Sequence, residues 1–386
     1  MQPGETGRRM TALQELTGLS HDTPNPTIHD WKRRGKKVVG FFCSYVPEEI
    51  LYAADILPIR MRATSCADTA LADVYMSHFN CTFVRSCLQF ILEGRYDFLD
   101  GVVFTNSCDH VRRMYDILRE IRPSGLQLMH FLSVPHKGSD EAIAWYRGEL
   151  DRFRAQLRQR FGVDAIGSNL AQAIEVYNET RSLLKRVYQL RQREDPPLTG
   201  SETLSVLLAG CSMPKDEFNA LLRRLLIELE HKEGNTGYRA RLMMAGSGGC
   251  DNPAYFQVLE DLGGMIVTDS LCFGSRYFWE PVSIQEDPMV GLARSYLRRP
   301  SCPRMVNGVA ERSDYVKQMV NDFEVDGVVC QRIRYCDLWG GQMLQMEKDL
   351  RDARIPMLSL EREYSLSATG QLRTRVQAFL ERLEGD

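Results

Sequence analysis

A duplicated segment constrains this chain more than any other feature. Leu99-Asp100-Gly101-Val102-Val103-Phe104-Thr105-Asn106-Ser107 runs into Cys108-Asp109, and Val325-Asp326-Gly327-Val328-Val329 leads on to Cys336-Asp337. In each copy a β-branched run follows Asp-Gly, as in a buried strand, and a helix-like segment follows the cysteine. Each cysteine is therefore predicted just beyond the C-terminal end of a strand, the edge at which open parallel sheets bind ligands. Cys108 follows Gly101 by seven positions and Cys336 follows Gly327 by nine, so the copies are related without being identical. Such a chain is expected to be an α/β protein with two similar Rossmann-like parallel-sheet domains.

The rest of the pattern divides the 386 residues into a helical leader over 1–34, a first α/β domain over 35–145, a helical connecting region over 146–236 and a second α/β domain over 237–386. The first domain reads as strand 37–44, a helix from Tyr45 to Ala54, strand 56–61, a mostly helical stretch over 67–92, strand 101–106, helix 109–121 and strand 127–134. Pro47 fits a first helical turn, and Glu48 and Glu49 complement the positive end of that helix. The second domain repeats the plan, with strands at 241–246, 264–269, 327–333 and 356–360 and helices at 341–353 and 370–384. Its Ser247-Gly248-Gly249-Cys250-Asp251-Asn252-Pro253 turn is rich in glycine, as phosphate cradles are. It matches neither Gly-x-x-x-x-Gly-Lys-Ser/Thr nor Gly-x-Gly-x-x-Gly, so it reads as a tight strand-to-helix turn.

Charge and motifs remove several functions. The net charge is -3, with both signs interspersed, so neither nucleic acid nor an anionic membrane is an expected partner. The N-terminal stretch lacks the apolar core of a signal peptide, and no apolar run reaches the ~18 residues of a membrane helix. A cytoplasmic location is expected. There is no Gly-x-Ser-x-Gly elbow, His-Glu-x-x-His helix or Walker motif. His78 and His110 lie close to cysteines, a position that hydrogen-bonded helix histidines also occupy.

Eleven cysteines are many for such a chain, yet their odd number without a secretion signal speaks against a disulfide framework, and no Cys-x-x-Cys occurs. Two readings stay open from the residues. Most of the thiols are small buried hydrophobes, or dispersed thiolates hold a soft metal centre. In the second case Cys81, Cys108 and Cys336 converge between the two domains, and an iron-sulfur cubane with three cysteine ligands keeps one iron open.

Phe41-Phe42-Cys43-Ser44-Tyr45-Val46-Pro47-Glu48-Glu49-Ile50, Asp100 to Asp109, Tyr335-Cys336-Asp337 and the C-terminal Gly370-Gln371-Leu372-Arg373-Thr374-Arg375 with Ala378-Phe379-Leu380 resemble the catalytic subunits of the benzoyl-CoA reductase and 2-hydroxyacyl-CoA dehydratase family. The resemblance covers about residue 35 to the end. It implies a [4Fe-4S] cluster on Cys81, Cys108 and Cys336, with Cys330 as a rival third ligand and Cys43 as a further ligand in relatives that carry a double-cubane cluster. Leu338 stands where family members commonly carry proline. The resemblance also implies an acyl-CoA substrate, a sister catalytic subunit or second copy, and an ATP-dependent iron-sulfur activase that delivers single low-potential electrons. A ketyl radical anion formed on the thioester then leads either to aromatic ring reduction, which the sequence puts first, or to loss of water from a 2-hydroxyacyl-CoA. Ser44 is a candidate contact to substrate or iron, or an N-cap of the helix that follows it. A clusterless scaffold subunit is the non-enzymatic alternative.

Overall fold

The computed structural model describes residues 10–21, 23–165, 167–366 and 369–385; the expected leader before Met10 lies outside them. Two four-stranded, wholly parallel sheets organise the chain. The first contains β1 (Lys37–Phe41), β2 (Ile56–Arg60), β3 (Gly101–Thr105) and β4 (Leu128–Leu132) in the order β2-β1-β3-β4. The second contains β5 (Ala240–Gly246), β6 (Gly264–Ser270), β7 (Gly327–Ile333) and β8 (Met357–Arg362) in the order β6-β5-β7-β8. The predicted α/β class with two similar domains is what the chain adopts. The two copies of the repeated segment are β3 and β7, the third strand in each sheet.

The repeated Asp-Gly has the same physical job in both. Asp100 Oδ2 accepts a hydrogen bond from the Val38 amide at 2.9 Å, and Asp326 Oδ2 accepts one from the Arg241 amide at 2.7 Å. Each carboxylate thus satisfies an amide at the start of the neighbouring strand, where the ladder has no partner for it. The glycine that follows leaves room for a close neighbour. A Cβ on Gly101 would lie 2.7 Å from Leu128 Cβ, and one on Gly327 would lie 2.7 Å from the Phe379 ring. The two extra positions of the second copy lengthen the strand, since β7 has seven residues and β3 has five.

Helices cover both faces of the sheets, as near-continuous apolar strands require. Asp140–Phe161 is capped by Ser139, and Gly200–Gly210 starts in a capping box of Thr199 and Glu202. The Asp140–Phe161 helix and the start of Gly167–Gln189 pack into the core of the first sheet, and the end of Gly167–Gln189 packs with Gly200–Gly210 and Lys215–Glu230 into that of the second. The Pro288–Arg298 helix of the second half joins the core of the first sheet through Leu292 and Tyr296. Among the described residues no helix is long and apolar enough to cross a membrane.

Two local expectations fail for clear reasons. The stretch 67–92 is helical only over Ala70–Asp73 and Thr82–Leu92. Between them Asn80 donates both its amide and its side-chain Nδ2 to the Ser77 carbonyl, at 2.9 Å each, and closes a turn instead of a helix. The helix expected from residue 341 begins at Asp337. Gly340 and Gly341 weaken its first turns, and burial of Trp339, Gln342 and Met343 outweighs that cost.

Candidate functional site

With strand order 2-1-3-4 the chain leaves the first and third strands toward opposite sides, and the loops after them part to form a crevice. Cys43 and Ser44 follow β1 and Cys108 follows β3 at that point of the first sheet. The glycine-rich turn follows β5 and Cys336 follows β7 at the same point of the second.

Cys81, Cys108 and Cys336 are each the N-cap of a helix: Thr82–Leu92, Asp109–Ile121 and Asp337–Asp352. None of the three makes a side-chain cap hydrogen bond, so first-turn amides and the positive helix ends are left facing the sulfurs. The Val84 and Phe83 amides favour the Cys81 thiolate, those of Val111 and His110 favour Cys108, and that of Trp339 favours Cys336. Burial outweighs them in the metal-free thiols. It pushes Cys81 up to about 11 and Cys108 to about 12, and it raises Cys336 further. The three also feel one another's charge: Cys81 raises Cys108, and Cys81 and Cys108 both raise Cys336. All eleven cysteines are free thiols.

One side chain ties the three loops together. His110 Nδ1 lies 2.8 Å from Asn80 Oδ1, beside Cys81, and its Nε2 lies 2.9 Å from the Tyr335 carbonyl, beside Cys336. Phe79 and Tyr335 add an edge-to-face contact at 5.6 Å, and Tyr335 itself is left-handed at φ 65°. The Cys81 helix is also fastened to the end of β8. The Tyr364 amide donates to Thr82 Oγ1 at 3.0 Å, Thr82 Oγ1 donates to Glu363 Oε2 at 2.8 Å, and the Phe83 and Tyr364 rings meet at 5.2 Å. A histidine near a cysteine is visible in the sequence; its role as a three-way bridge is not.

Cys108 and Cys336 line a cavity of about 460 Å³ together with Asn106, His136 and Arg304. Arg304 and His136 are functional candidates that sequence reasoning missed, because no motif surrounds either. Arg304 is buried and donates to the Val134 carbonyl at 2.7 Å and the Pro135 carbonyl at 2.9 Å, while its Nε has no partner. His136 Nδ1 lies 2.8 Å from the Arg304 carbonyl, which can only accept, so Nδ1 donates there, and Nε2 faces Asn106 Nδ2 at 3.3 Å.

The remaining expected residues fall in different places. Ser44 is buried in the turn after β1, where its carbonyl accepts from Arg299 at 2.8 Å. It does not cap the next helix, whose N-cap is Pro47. Cys330 lies within β7 among core side chains, with Glu347 the charge that acts on it, and is not brought to the cleft. Cys43 gathers with Cys272 and Cys302, both of which raise it after burial has done so. Arg60 Nη2 donates to Cys272 Sγ at 2.9 Å, and Arg276 and Arg304 stand beside the same group. The glycine-rich turn is stitched to β7 through Ser247 Oγ, which accepts from the Ile333 amide at 3.0 Å. A Cβ on Gly246, at φ 132°, would lie 1.9 Å from the Gln331 carbonyl oxygen. That turn is the tight structural connection its sequence suggests.

A model of the 2-hydroxyglutaryl-CoA dehydratase D-component family matches residues 43–383. Among curated proteins the chain is 29% identical to YjiM of Escherichia coli (strain K12), over 92% of this chain and 94% of that protein. It is 24% identical to the (R)-phenyllactyl-CoA dehydratase beta subunit of Clostridium sporogenes, over 91% of this chain and 93% of that one. It is 26% identical to a benzoyl-CoA reductase subunit of Thauera aromatica, over 84% of this chain and 86% of that one. On the extent of the family match and the two-sheet fold beneath it, the chain belongs to the 2-hydroxyglutaryl-CoA dehydratase D-component family, whose members include both dehydratase and benzoyl-CoA reductase subunits.

Proposed function

We propose that this chain is the iron-sulfur catalytic subunit of an enzyme performing one-electron chemistry on an acyl-CoA, with a [4Fe-4S] cluster held by Cys81, Cys108 and Cys336. The observation that carries the reading is the meeting of three cysteine N-caps at one cleft between the sheets. The donor set fits such a group. Three unpaired thiols face three positive helix ends, which suits an anionic cluster. Among the described residues no three His, Cys, Asp or Glu side chains are gathered for a single ion. An ion would need its sulfurs about 2.3 Å away, whereas a cluster holds its ligands apart by its own width.

When bound, the cluster supplies single-electron transfer at low potential. The chain's residues do the rest. The helix ends and the buried Arg304 offset negative charge on the thiolates and on an anionic substrate, and His136 orients Asn106 at the cavity wall. Burial excludes water from the reacting groups. The electrons come from an ATP-dependent activase, and a sister chain of the same family completes the assembly; relatives named as beta subunits support a partner chain. Aromatic ring reduction of the benzoyl-CoA type and dehydration of a 2-hydroxyacyl-CoA both fit this arrangement, and the relatives' names span the two.

A second reading, a double-cubane reductase, draws support from one observation: Cys43, Cys272 and Cys302 form another thiol group beside Arg60, Arg276 and Arg304. Anaerobic metal analysis separates the readings, with about four iron and four sulfide per chain for one cubane and about double for two. Cys336→Ser is expected to lose the cluster and Cys66→Ser to keep it; Cys272→Ser lowers iron only in the double-cubane case. A colourless protein after anaerobic reconstitution refutes the proposal. Assays with benzoyl-CoA and with a 2-hydroxyacyl-CoA, each with activase and ATP, then decide the reaction.

A further inference from the structure

A second cavity, of about 330 Å³, opens past the C-terminal end of β2, between the leader helices and the Thr82–Leu92 helix. Arg62 and Tyr96 form its floor, and both are more than nine-tenths buried, at 7% and 5% exposure. The Arg62 amide donates to the Tyr96 hydroxyl at 3.0 Å, and that hydroxyl donates back to the Arg62 carbonyl. The Arg62 guanidinium is held by two backbone carbonyls, those of Ser20 and, at 3.4 Å, Asp251. Both are neutral acceptors, so they position the cation without cancelling its charge. The Asp251 carboxyl, the acid whose ionisation Arg62 favours, is fully buried, bonded to the Tyr364 hydroxyl at 2.8 Å and raised by desolvation.

At the rim Arg95 adds a second guanidinium, and His21 and His29 add imidazoles, with the hydroxyls of Thr23, Thr64 and Ser65. The Arg95 guanidinium lies over the Phe90 ring, 4.3 Å from its centroid. Among the described residues no acidic side chain lines the cavity, and none of its four basic side chains is ion-paired with a carboxylate. Two guanidiniums, two imidazoles and three threonine or serine hydroxyls around a small polar space match the acceptor-rich surface of a phosphate. The volume is at the small end of ligand sites.

We propose that this cavity binds a phosphate monoester dianion. The phosphate belongs either to a small free phosphate ester or to the 3′-phosphate of a CoA thioester, and only the second source rests on the acyl-CoA reading above. The test is calorimetric titration of the whole chain at constant ionic strength with inorganic phosphate, CoA and 3′-dephospho-CoA. Phosphate is expected to bind, and Arg95→Ala to weaken it about tenfold or more, the worth of a charge-assisted hydrogen bond. Arg62→Met abolishes binding; because Arg62 also fastens the Ser20 carbonyl, that variant is judged only beside Arg95→Ala, whose side chain is exposed. CoA binding tighter than 3′-dephospho-CoA, with Arg95→Ala erasing the difference, assigns the site to CoA. Equal binding of the two, with inorganic phosphate still captured, assigns it to a free ester. Absence of phosphate binding, or binding that Arg95→Ala leaves unchanged, overturns the proposal. Iron content of Arg95→Ala stays at the wild-type value, so failure here is distinct from failure of the cluster reading.

Discussion

Replacing Glu49 tests how the edge of the first sheet is held beside the cleft. Glu49 follows the Cys43-Ser44 turn, and its side chain is fully buried at 0% exposure. It accepts a charge-assisted bond from Arg181 and a hydrogen bond from the Tyr296 hydroxyl at 2.7 Å. Glu48, beside it, is also buried and faces Lys215 at 3.3 Å and the Tyr177 hydroxyl at 3.3 Å. The sequence suggests that these acids serve only the helix dipole; in the fold they point inward and join the first sheet to the connecting helices. Burial works against the Arg181 charge and Glu49 is the main group holding its pKa above the usual arginine value; because a guanidinium keeps its proton even without that support, removing Glu49 leaves a buried cation without its carboxylate. Its other side-chain acceptor is Asn178 Oδ1 at 3.0 Å.

Breaking one member of a buried pair costs about 3–5 kcal/mol. Glu49→Gln, which keeps one acceptor, is expected near the low end of that range and Glu49→Ala near the high end. Replacing both charges, as in Glu49→Met with Arg181→Met, removes the stranded cation. What then remains is about 1–2 kcal/mol for the Tyr296 hydroxyl without its acceptor. The double variant is thus more stable than Glu49→Ala, and the cycle gives a coupling of about 2–3 kcal/mol. The assay is urea unfolding of the apo chain, read on the first transition because a chain with two sheets need not unfold in one step. A Glu49→Gln cost below about 1 kcal/mol, or additivity of the two single changes, would refute the reasoning.

Four further outcomes are expected. Burial lowers His130 from 6.5 to about 4, and its Nε2 lacks a partner while the ring stacks on Phe153 at 4.9 Å. The unfolded state therefore takes up the proton first, so stability is full above about pH 6.5 and falls toward pH 4 by up to ~3 kcal/mol; His130→Phe should flatten that slope, and an unchanged slope in a pH series of urea melts counts against it. Gly246→Ala, with its Cβ placed 1.9 Å from a carbonyl oxygen at φ 132°, should prevent soluble expression or cost more than about 3 kcal/mol. Gly341→Ala meets nothing within 4 Å and should stabilise by about 0.5–1 kcal/mol; thermal melts compare the two. His110→Ala removes the bridge among the three cysteine loops at a cost of about 1–2 kcal/mol, and chelator-driven iron loss should quicken several-fold, whereas loss at the wild-type rate would deny His110 that role.

Legibility differed from residue to residue. The Asp109–Ile121 helix is readable to the residue, because Val111, Met114 and Leu118 repeat at helical spacing and all three are buried. The placement of Cys108 and Cys336 after equivalent strands follows from the repeated Asp-Gly and its β-branched run. The stretch 67–92 misleads because its composition suits a helix, while the Ser77-Asn80 turn depends on local side-chain bonds that propensity does not weigh. Ser44 has the chemistry of an N-cap, but the chain turns three residues further on and Pro47 takes that position.

The sequence by itself determined the class, the duplication and the family, because these reside in periodicity and in short motifs carried along the chain. Asp100 and Asp326 each act on an adjacent strand, so their effect is nearly local and shows in the pattern. The resemblance named Cys81, Cys108 and Cys336; only the tertiary structure supplied the contacts that bring their loops together. Cys81 is separated from Cys336 by most of the chain, and His110, Tyr364 and Thr82 bring their loops together through contacts that no spacing encodes. The same holds for Arg62 and Arg95, two ordinary arginines in the sequence that folding brings to the wall of one cavity. Local order follows from neighbours along the chain, whereas a site is a coincidence in space, and burial sets its charge only after the chain has closed around it.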